Sequence, residues 1–334
     1  MIFLIVLLSM VCVLFGGCAC QSESMAVSPY DMSERLITIS ANSSIEDIAS
    51  TVVYAVVGIE TESSIGSGVC VGSGGYILTN SHVVHDSLDI VLHLYDGSMI
   101  YADIVYEDTV LDLAILRAEK SMPYLKLADV SDLQVGEDVL AVGTPLSLTL
   151  AHSFTKGIVS ALNRTLRVDS SSGLGYMQGM IQHDASLNSG NSGGPLLNTS
   201  GEIVGINTLK ISGGDGVGFA IPTKAFASIL TSVVGDVEYD TPYIGLFGYD
   251  ASIELGVREG SPSGFYVVDV ALDSPAVSYI EKGSIITAFN GVTISNALDF
   301  RHELYKCEAL DKVAISYVLD GVEYDVTMTL GSKA

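Results

Sequence analysis

The sequence predicts a mainly β protein made of two consecutive domains. A chain of 334 residues is long enough for two separate cores, and a hydrophobic share of 48% with 34 glycines suits compact, turn-rich β structure. Short apolar segments recur between turns rich in Gly, Asp and Ser, a spacing typical of an all-β barrel or sandwich. The predicted strands are 55–60, 75–80, 90–95, 113–117, 138–143, 157–161 and 203–207.

A short helix is predicted before the first strand. Ser43-Ser44-Ile45-Glu46 has the spacing of a capping box, in which a serine and a glutamate satisfy backbone N–H groups at a helix start. The apolar residues that follow fall on one face of a helix, and they are Ile45, Ile48, Ala49 and Val52.

The first twenty residues carry no charge and are strongly apolar, so they indicate an export segment or a membrane anchor. Two interpretations stay open. Phe15-Gly16-Gly17-Cys18 is similar to a bacterial lipobox, in which Cys18 would be lipidated after cleavage; alternatively, the stretch is a signal anchor that remains as a transmembrane helix. No positive charge precedes the apolar run, which suggests a translation start further upstream. We expect the folded part outside the cytoplasm, in a bacterial cell envelope, tethered through residues 21–42.

The charge balance argues against a nucleic-acid partner. Lys and Arg total 15 against 39 Asp and Glu, a net charge of −24, whereas phosphate binding depends on clustered Lys and Arg. An acidic, solvated surface that keeps the protein soluble is the better interpretation.

Cysteine and histidine spacing predicts no metal and no cofactor. Three cysteines lie in the leader, which leaves Cys70 and Cys307 as one in each predicted domain. The chain has no Cys-x-x-Cys and no histidine cluster at metal-ligand spacing.

Three polar segments carry a histidine, an aspartate and a serine in that order. His82 follows the predicted strand 75–80, Asp112 precedes the strand 113–117, and Ser192 lies in a glycine-rich run. A serine hydroxyl is a weak nucleophile, so a histidine must accept its proton and an aspartate must hold the imidazole in the right tautomer. We therefore predict the catalytic triad of a chymotrypsin-like serine protease. No comparable context surrounds the other histidines, which are His85, His93, His152, His183 and His302.

The glycines around the serine predict an oxyanion hole. They allow a tight turn that points backbone N–H groups at the oxygen that becomes negative in the tetrahedral intermediate. We assign Gly190 and Ser192 as the two donors.

The run Gly190-Asn191-Ser192-Gly193-Gly194 also satisfies the Gly-x-Ser-x-Gly elbow of α/β-hydrolases. That elbow lies between a strand and a helix, and its histidine comes last in the chain. Here Gly193, Gly194 and Pro195 form helices poorly, and the only later histidine is His302 in the second predicted domain. An esterase of that class is disfavoured.

From Ser44 to about Leu330 the chain resembles the HtrA (Deg) family of trypsin-fold serine proteases with a C-terminal PDZ domain. The resemblance implies two six-stranded β-barrels with the triad in the cleft between them, followed by a small α+β PDZ domain. It is carried by residues 66–69, 75–80, 112–114, 184–185, 190–198, 201–207 and 216–222.

The resemblance also suggests a substrate pocket. In trypsin-fold enzymes the residue six positions before the nucleophile lies at the base of the S1 pocket, and here it is Ser186. We place Ile206, Leu209 and Phe219 nearby and expect cleavage after small or medium aliphatic residues, since no charge is expected in the pocket.

The second domain resembles an HtrA-type PDZ domain, with Tyr243, Ile244, Gly245 and Leu246 as its carboxylate-binding loop. Such a domain adds an extended C-terminal peptide to a sheet edge, here between the strand after Gly248 and a helix over 297–305. The segment 276–283 is shorter than in the family, and Ser284 replaces the usual aspartate, so the ligand preference is open. A small domain that only packs against the protease is the alternative.

These observations predict a leader or anchor over 1–20, a linker over 21–42, a protease domain over 43–235, a second linker over 236–242 and a PDZ domain over 243–331. The predicted function is ATP-independent degradation of misfolded exported proteins, with the PDZ domain binding exposed C-termini. The alternative is a chaperone or peptide-binding protein whose triad is latent. The family resemblance implies a homotrimer.

Overall fold

The computed structural model describes residues 35–40, 43–170, 173–210, 216–235, 240–253 and 260–332, without the side chains of 168–170, 173–175 and 209–210. The predicted leader with Cys18, most of the predicted linker 21–42 and residues 236–239 lie outside the described residues. Within the described part of the chain, no helix is both long and apolar enough to span a bilayer.

The N-terminal helix α1 (Ile45–Val52) forms where the sequence predicts it, but its cap lies one residue later. Ser44 is the N-cap, and its hydroxyl accepts the N–H of Asp47 at 3.2 Å. The Asp47 carboxylate accepts the Ser44 N–H in return at 3.1 Å. The aspartate therefore fills the position expected for Glu46, while the apolar face buries Ile48 and Val52 as expected.

The first barrel closes in the strand order β1-β2-β3-β6-β5-β4. The third and sixth strands are short apolar runs that are buried along almost their whole length, so both faces of these strands are covered. A one-turn helix, α2 (Ser81–Val84), follows the third strand. The strands are β1 (Val56–Glu60), β2 (Ile65–Gly72), β3 (Tyr76–Thr79), β4 (Val91–His93), β5 (Met99–Asp108) and β6 (Leu113–Ala118).

The second barrel closes in the order β10-β11-β12-β9-β8-β7, and the helix α3 (Ala227–Val234) follows it. The strand β8 is much longer than the predicted segment 157–161. Its polar part beyond Ala161 has no apolar pattern from which a strand could be predicted, and it is stabilised by pairing with β9. The strands are β7 (Asp138–Gly143), β8 (Ser153–Ser170), β9 (Gly173–His183), β10 (Pro195–Leu197), β11 (Ile203–Lys210) and β12 (Gly218–Pro222).

The C-terminal domain has its own sheet, in the order β14-β15-β16-β18-β19, with β17 on β16 and a separate β13–β20 pair. Its helix α4 (Ala297–Leu304) is capped by Asn296, whose side chain accepts the Asp299 N–H. The Phe300 ring stacks on the Phe265 ring in a separate core, with 4.5 Å between the ring centroids. The strands are β13 (Pro242–Tyr243), β14 (Leu246–Asp250), β15 (Phe265–Val270), β16 (Ile285–Phe289), β17 (Val292–Thr293), β18 (Lys312–Leu319), β19 (Val322–Thr329) and β20 (Gly331–Ser332).

Two closed six-stranded barrels followed by a small α+β domain confirm the predicted fold class. The register of the first barrel sets up the site. Thr79 at the end of β3 pairs with Ala114 near the start of β6. His82, which follows β3, and Asp112, which precedes β6, therefore meet at one end of the barrel.

Candidate active site

The imidazole of His82 and the carboxylate of Asp112 are in direct contact. His82 Nδ1 lies 2.8 Å from Asp112 Oδ1 and 2.9 Å from Oδ2, and the His82 backbone N–H donates to Oδ1 at 3.1 Å. The carboxylate therefore holds both the ring and the backbone of the histidine. With Nδ1 carrying the proton toward the carboxylate, Nε2 is left as the basic nitrogen.

Asp112 is itself held from both barrels. The Thr208 hydroxyl, on β11 of the second barrel, donates to Asp112 Oδ2 at 2.6 Å. The Asn80 side chain donates to the Asp112 backbone carbonyl at 2.8 Å. Asp112 has a left-handed backbone with φ of +57°, which aspartate tolerates better than most residues. This conformation turns the chain sharply just before β6 and directs the carboxylate at the histidine.

The hydroxyl of Ser192 lies in the interbarrel cleft and donates to the Thr208 backbone carbonyl at 3.1 Å. Within the described residues, no hydrogen bond joins Ser192 to His82. The structure therefore brings His82 and Asp112 into contact and ties Ser192 to the same residue, Thr208, that binds Asp112. In this arrangement the hydroxyl proton of Ser192 points to the Thr208 carbonyl and not to the imidazole.

The loop that carries Ser192 is fixed by Ser67 on β2. The Ser67 hydroxyl donates to the Gly190 carbonyl at 2.7 Å and accepts the Thr144 N–H at 2.8 Å. Its backbone N–H donates to the Ser192 carbonyl at 2.8 Å. Sequence reasoning missed this role, because a serine between two glycines gives no signal beyond its small size.

Two backbone N–H groups of this loop, among the described residues, donate no backbone hydrogen bond. Among the residues that the structure describes, neither the Gly190 N–H nor the Ser192 N–H donates a backbone hydrogen bond, whereas Asn191 donates to Asn188 and Gly193 donates to Asn207. Gly190 has φ of +96°, and a side chain there would collide with the Thr144 carbonyl. The glycine is required by this conformation, which leaves the predicted donors available to a ligand.

The electrostatics of His82 follow from these contacts. Partial burial in the cleft acts to lower its pKa, but the hydrogen bond and the charge of Asp112 raise the pKa above its ordinary value overall. The ring is half-exposed, at 48%, so a substrate in the cleft can reach it.

Ser186 lines a cavity of about 200 Å³ beside this loop. The other predicted pocket residues are placed differently: Ile206 and Phe219 are buried in the hydrophobic core, and the Leu209 side chain lies outside the described residues. Alternate residues of a strand face opposite sides, and Ile206 and Phe219 face inward. The cavity is lined instead by Ala185, Leu187, Asn188, Gly216, Val217 and Gly218.

The predicted carboxylate-binding loop lies between β13 and β14. Tyr243 ends β13 and Leu246 begins β14, while Gly245 has φ of +77° and a side chain there would collide with Ser274. The Ile244 side chain is buried in the core of the C-terminal domain. The helix α4 adjoins β14, since the Ala297 N–H donates to Asp250 Oδ1 at 2.6 Å.

The fold and the site define a class, the trypsin-like peptidases that carry a PDZ domain. Residues 66–206 match the family model of the trypsin-like peptidase domain, and residues 247–330 match that of the PDZ domain. Within this class the chain belongs to the HtrA family of serine proteases. It is 30% identical to a solved HtrA-type protease, AlgW with a tripeptide, with a TM-score of 0.69 and alignment over 87% of this chain and 98% of AlgW.

Curated relatives agree with this family. The chain is 36% identical over 292 residues to the serine protease Do-like HtrA of Bacillus subtilis strain 168, covering 82% of this chain and 65% of the relative. It is 36% identical over 276 residues to the probable periplasmic serine endoprotease DegP-like of Pseudomonas putida strain W619, covering 80% of this chain and 56% of the relative. The chain thus spans somewhat more than half of the length of these relatives.

Proposed function

We propose that this protein is a serine endopeptidase that uses Ser192 as nucleophile, His82 as general base and Asp112 as the group that orients the base. The contact of His82 Nδ1 with both oxygens of Asp112, at 2.8 and 2.9 Å, is the observation that carries this proposal. A histidine held in this way keeps one tautomer and stabilises the imidazolium that forms when the base accepts a proton.

The reaction follows from the positions of these groups. After the Ser192 hydroxyl turns from Thr208 to His82 Nε2, its oxygen attacks the substrate carbonyl carbon while the proton passes to the imidazole. The open N–H groups of Gly190 and Ser192 stabilise the negative oxygen of the tetrahedral intermediate. The imidazolium then gives its proton to the leaving amine as the C–N bond breaks, which leaves an acyl-enzyme. Water that loses a proton to His82 attacks the ester carbonyl, and the ester bond breaks as the imidazolium returns the proton to Ser192.

Unfolded or misfolded exported polypeptides are the substrates that we propose, without a requirement for ATP. The PDZ domain would bind their exposed C-termini along β14 through the loop 243–246. A curated relative described as periplasmic supports a location in the cell envelope. Tethering through residues 1–20 and assembly into a homotrimer stay predictions; light scattering of the purified protein tests the second.

A chaperone or peptide-binding protein with a latent triad is the second candidate. It is favoured by the hydrogen bond of the Ser192 hydroxyl to Thr208 in place of His82. A nucleophile held away from its base is inactive until the side chain is released. Catalytic hydrogen bonds often tighten only when substrate binds, so the two candidates differ in whether a polypeptide substrate activates the triad.

Digestion of casein separates the two candidates. For the endopeptidase, the purified protein degrades casein, and Ser192→Ala lowers turnover by a factor on the order of 10⁶ while suppression of aggregation persists. For the latent chaperone, the wild type and Ser192→Ala both suppress aggregation and neither degrades casein. Degradation that is equal in the two proteins would contradict the assigned nucleophile.

A further inference from the structure

A tyrosine of the PDZ domain makes a hydrogen bond with a buried carboxylate of the first barrel. Tyr305, at the C-terminal end of α4, donates its hydroxyl to Asp108 Oδ2 at 3.2 Å, across 197 positions of sequence. Asp108 is the last residue of β5 and is only 3% exposed. A buried carboxylate needs hydrogen-bond partners for both oxygens, and the PDZ domain supplies a partner for one of them.

The other oxygen of Asp108 shapes the turn that carries the catalytic aspartate. Asp108 Oδ1 accepts the N–H of Val110 at 2.8 Å and of Leu111 at 2.9 Å. Asp112 follows directly in its left-handed conformation. The direction of the Asp112 carboxylate therefore depends on how Asp108 is held.

The neighbour of Asp108 holds the other half of the catalytic pair. Glu107 Oε1 accepts the Ser81 hydroxyl at 2.6 Å and lies 2.8 Å from His85 Nδ1. Ser81 is the first residue of the short helix α2 that carries His82, and His85 is its C-cap. The last two residues of β5 thus support both the turn 108–112 and the helix α2. The Tyr305 hydroxyl donates a hydrogen bond to the second of these residues, Asp108.

The helix α4 is fixed to the protease along its length, so the hydroxyl of Tyr305 is held in place. Asp299 Oδ1 pairs with Lys224 Nζ at 2.7 Å, and His302 Nδ1 lies 2.8 Å from the Lys224 carbonyl. Leu298 is buried in the same hydrophobic core as the first barrel. Because the helix has these separate anchors, loss of the Tyr305 hydroxyl alone would not undock it.

We propose that Tyr305 is a positioning residue for the peptidase reaction. Its hydroxyl orients Asp108, and through the turn 108–112 it keeps the Asp112 carboxylate on His82 Nδ1. The geometry of the catalytic pair in the protease domain then depends on one hydroxyl of the PDZ helix. This proposal rests on the proposed function, because it needs His82 and Asp112 to be catalytic.

The test is Tyr305→Phe, which removes only the hydroxyl, with Tyr317→Phe as the matched control. The Tyr317 hydroxyl donates to the Tyr279 carbonyl at 2.9 Å, inside the PDZ domain. With labelled casein, Tyr305→Phe is expected to lower kcat about tenfold, the effect of one hydrogen bond to a charged group, with KM within about twofold. The control is expected to keep the wild-type kcat.

A second measurement distinguishes positioning from a general loss of structure. Since Asp112 raises the pKa of His82, a misdirected carboxylate should move the acid limb of the pH–rate profile to lower pH in Tyr305→Phe and not in Tyr317→Phe. In an Asp108→Ala background, Tyr305→Phe should cause no further loss, because the partner is already absent.

An unchanged kcat and pH profile in Tyr305→Phe would overturn the proposal, as would an equal loss in Tyr317→Phe or a loss of kcat without a shift of the acid limb. Failure of the proposed function itself has a separate signature whatever residue stands at position 305, since either the wild type would not degrade casein or Ser192→Ala would degrade it as fast as the wild type.

Discussion

The Ser192 hydroxyl donates to the backbone carbonyl of Thr208 at 3.1 Å. The side chain of the same threonine donates to Asp112 Oδ2 at 2.6 Å, so one residue of β11 binds the proposed nucleophile through its backbone and the carboxylate through its side chain. In the proposed mechanism the backbone contact opposes catalysis, because it turns the serine proton away from His82. The side-chain contact favours catalysis, because it fixes the carboxylate on the imidazole.

Replacement of Thr208 separates these two effects. Thr208→Val keeps the shape and the backbone carbonyl but removes the donor to Asp112, so kcat on casein is expected to fall about tenfold. Thr208→Ser keeps a hydroxyl and should retain most of the activity. Equal rates in the valine and serine variants would show that the 2.6 Å contact does not orient the carboxylate.

The rate of hydrolysis should depend on pH through His82. Protonated imidazole cannot act as a base, and Asp112 raises the pKa of this histidine, so the acid limb of kcat/KM is expected to have its midpoint above about pH 6.5. In Asp112→Asn the imidazolium loses its charged partner, and an NMR titration of His82 should give a lower pKa. A flat rate between about pH 5 and about pH 8 would argue against His82 as base.

His183 should make the fold sensitive to acid. It is fully buried near the end of β9, and burial is the main cause that lowers its pKa to about 4. In the unfolded chain this histidine binds a proton near pH 6.5, whereas in the folded protein it does so only near pH 4. The free energy of unfolding therefore has its full value above about pH 6.5 and decreases as the pH falls toward about 4.

Urea unfolding at about pH 7.5 and about pH 5 measures this contribution. The free energy of unfolding of the wild type should fall by roughly 2 kcal/mol more than that of His183→Gln over this interval. Other titrating groups are common to both proteins and cancel in the comparison. Parallel losses in the two proteins would mean that His183 does not remain neutral in the fold.

Ser186 should control the residue accepted before the cleaved bond. In the wild type we expect a preference for small or medium aliphatic residues at P1, because the described residues that line the cavity beside Ser186 carry no charge. Ser186→Asp adds a carboxylate and should shift the preference toward Lys or Arg by about tenfold or more, as a charge-assisted contact implies. A strong basic preference in the wild type, measured with peptide libraries, would contradict this pocket.

The spacing of apolar segments predicted a barrel or sandwich, and the family resemblance predicted the double barrel and the contact between His82 and Asp112. Both residues lie beside short apolar strands, and Asn80, which the family resemblance includes, also contacts Asp112. The cap of α1 was misplaced by one residue, because Glu46 and Asp47 are both able to fill the acidic position and only the backbone geometry decides between them.

The remaining features depend on tertiary contacts that leave no local pattern. Ile206 was predicted to lie in the pocket but is buried in the core, because an apolar run does not reveal which face of β11 each side chain occupies. The contact of Tyr305 with Asp108 joins two domains, and neither residue lies in a recognisable motif. Ser67 acts through its hydrogen bonds to loops that are distant in sequence.

The most direct measurement of the central claim is covalent labelling of the purified protein with diisopropyl fluorophosphate, followed by peptide mass mapping. A serine activated by its histidine should react with about one equivalent, with the phosphoryl group on Ser192, and His82→Ala should abolish the labelling. Labelling at another serine, or labelling of Ser192 at the same rate in the wild type and in His82→Ala, would contradict the assigned triad.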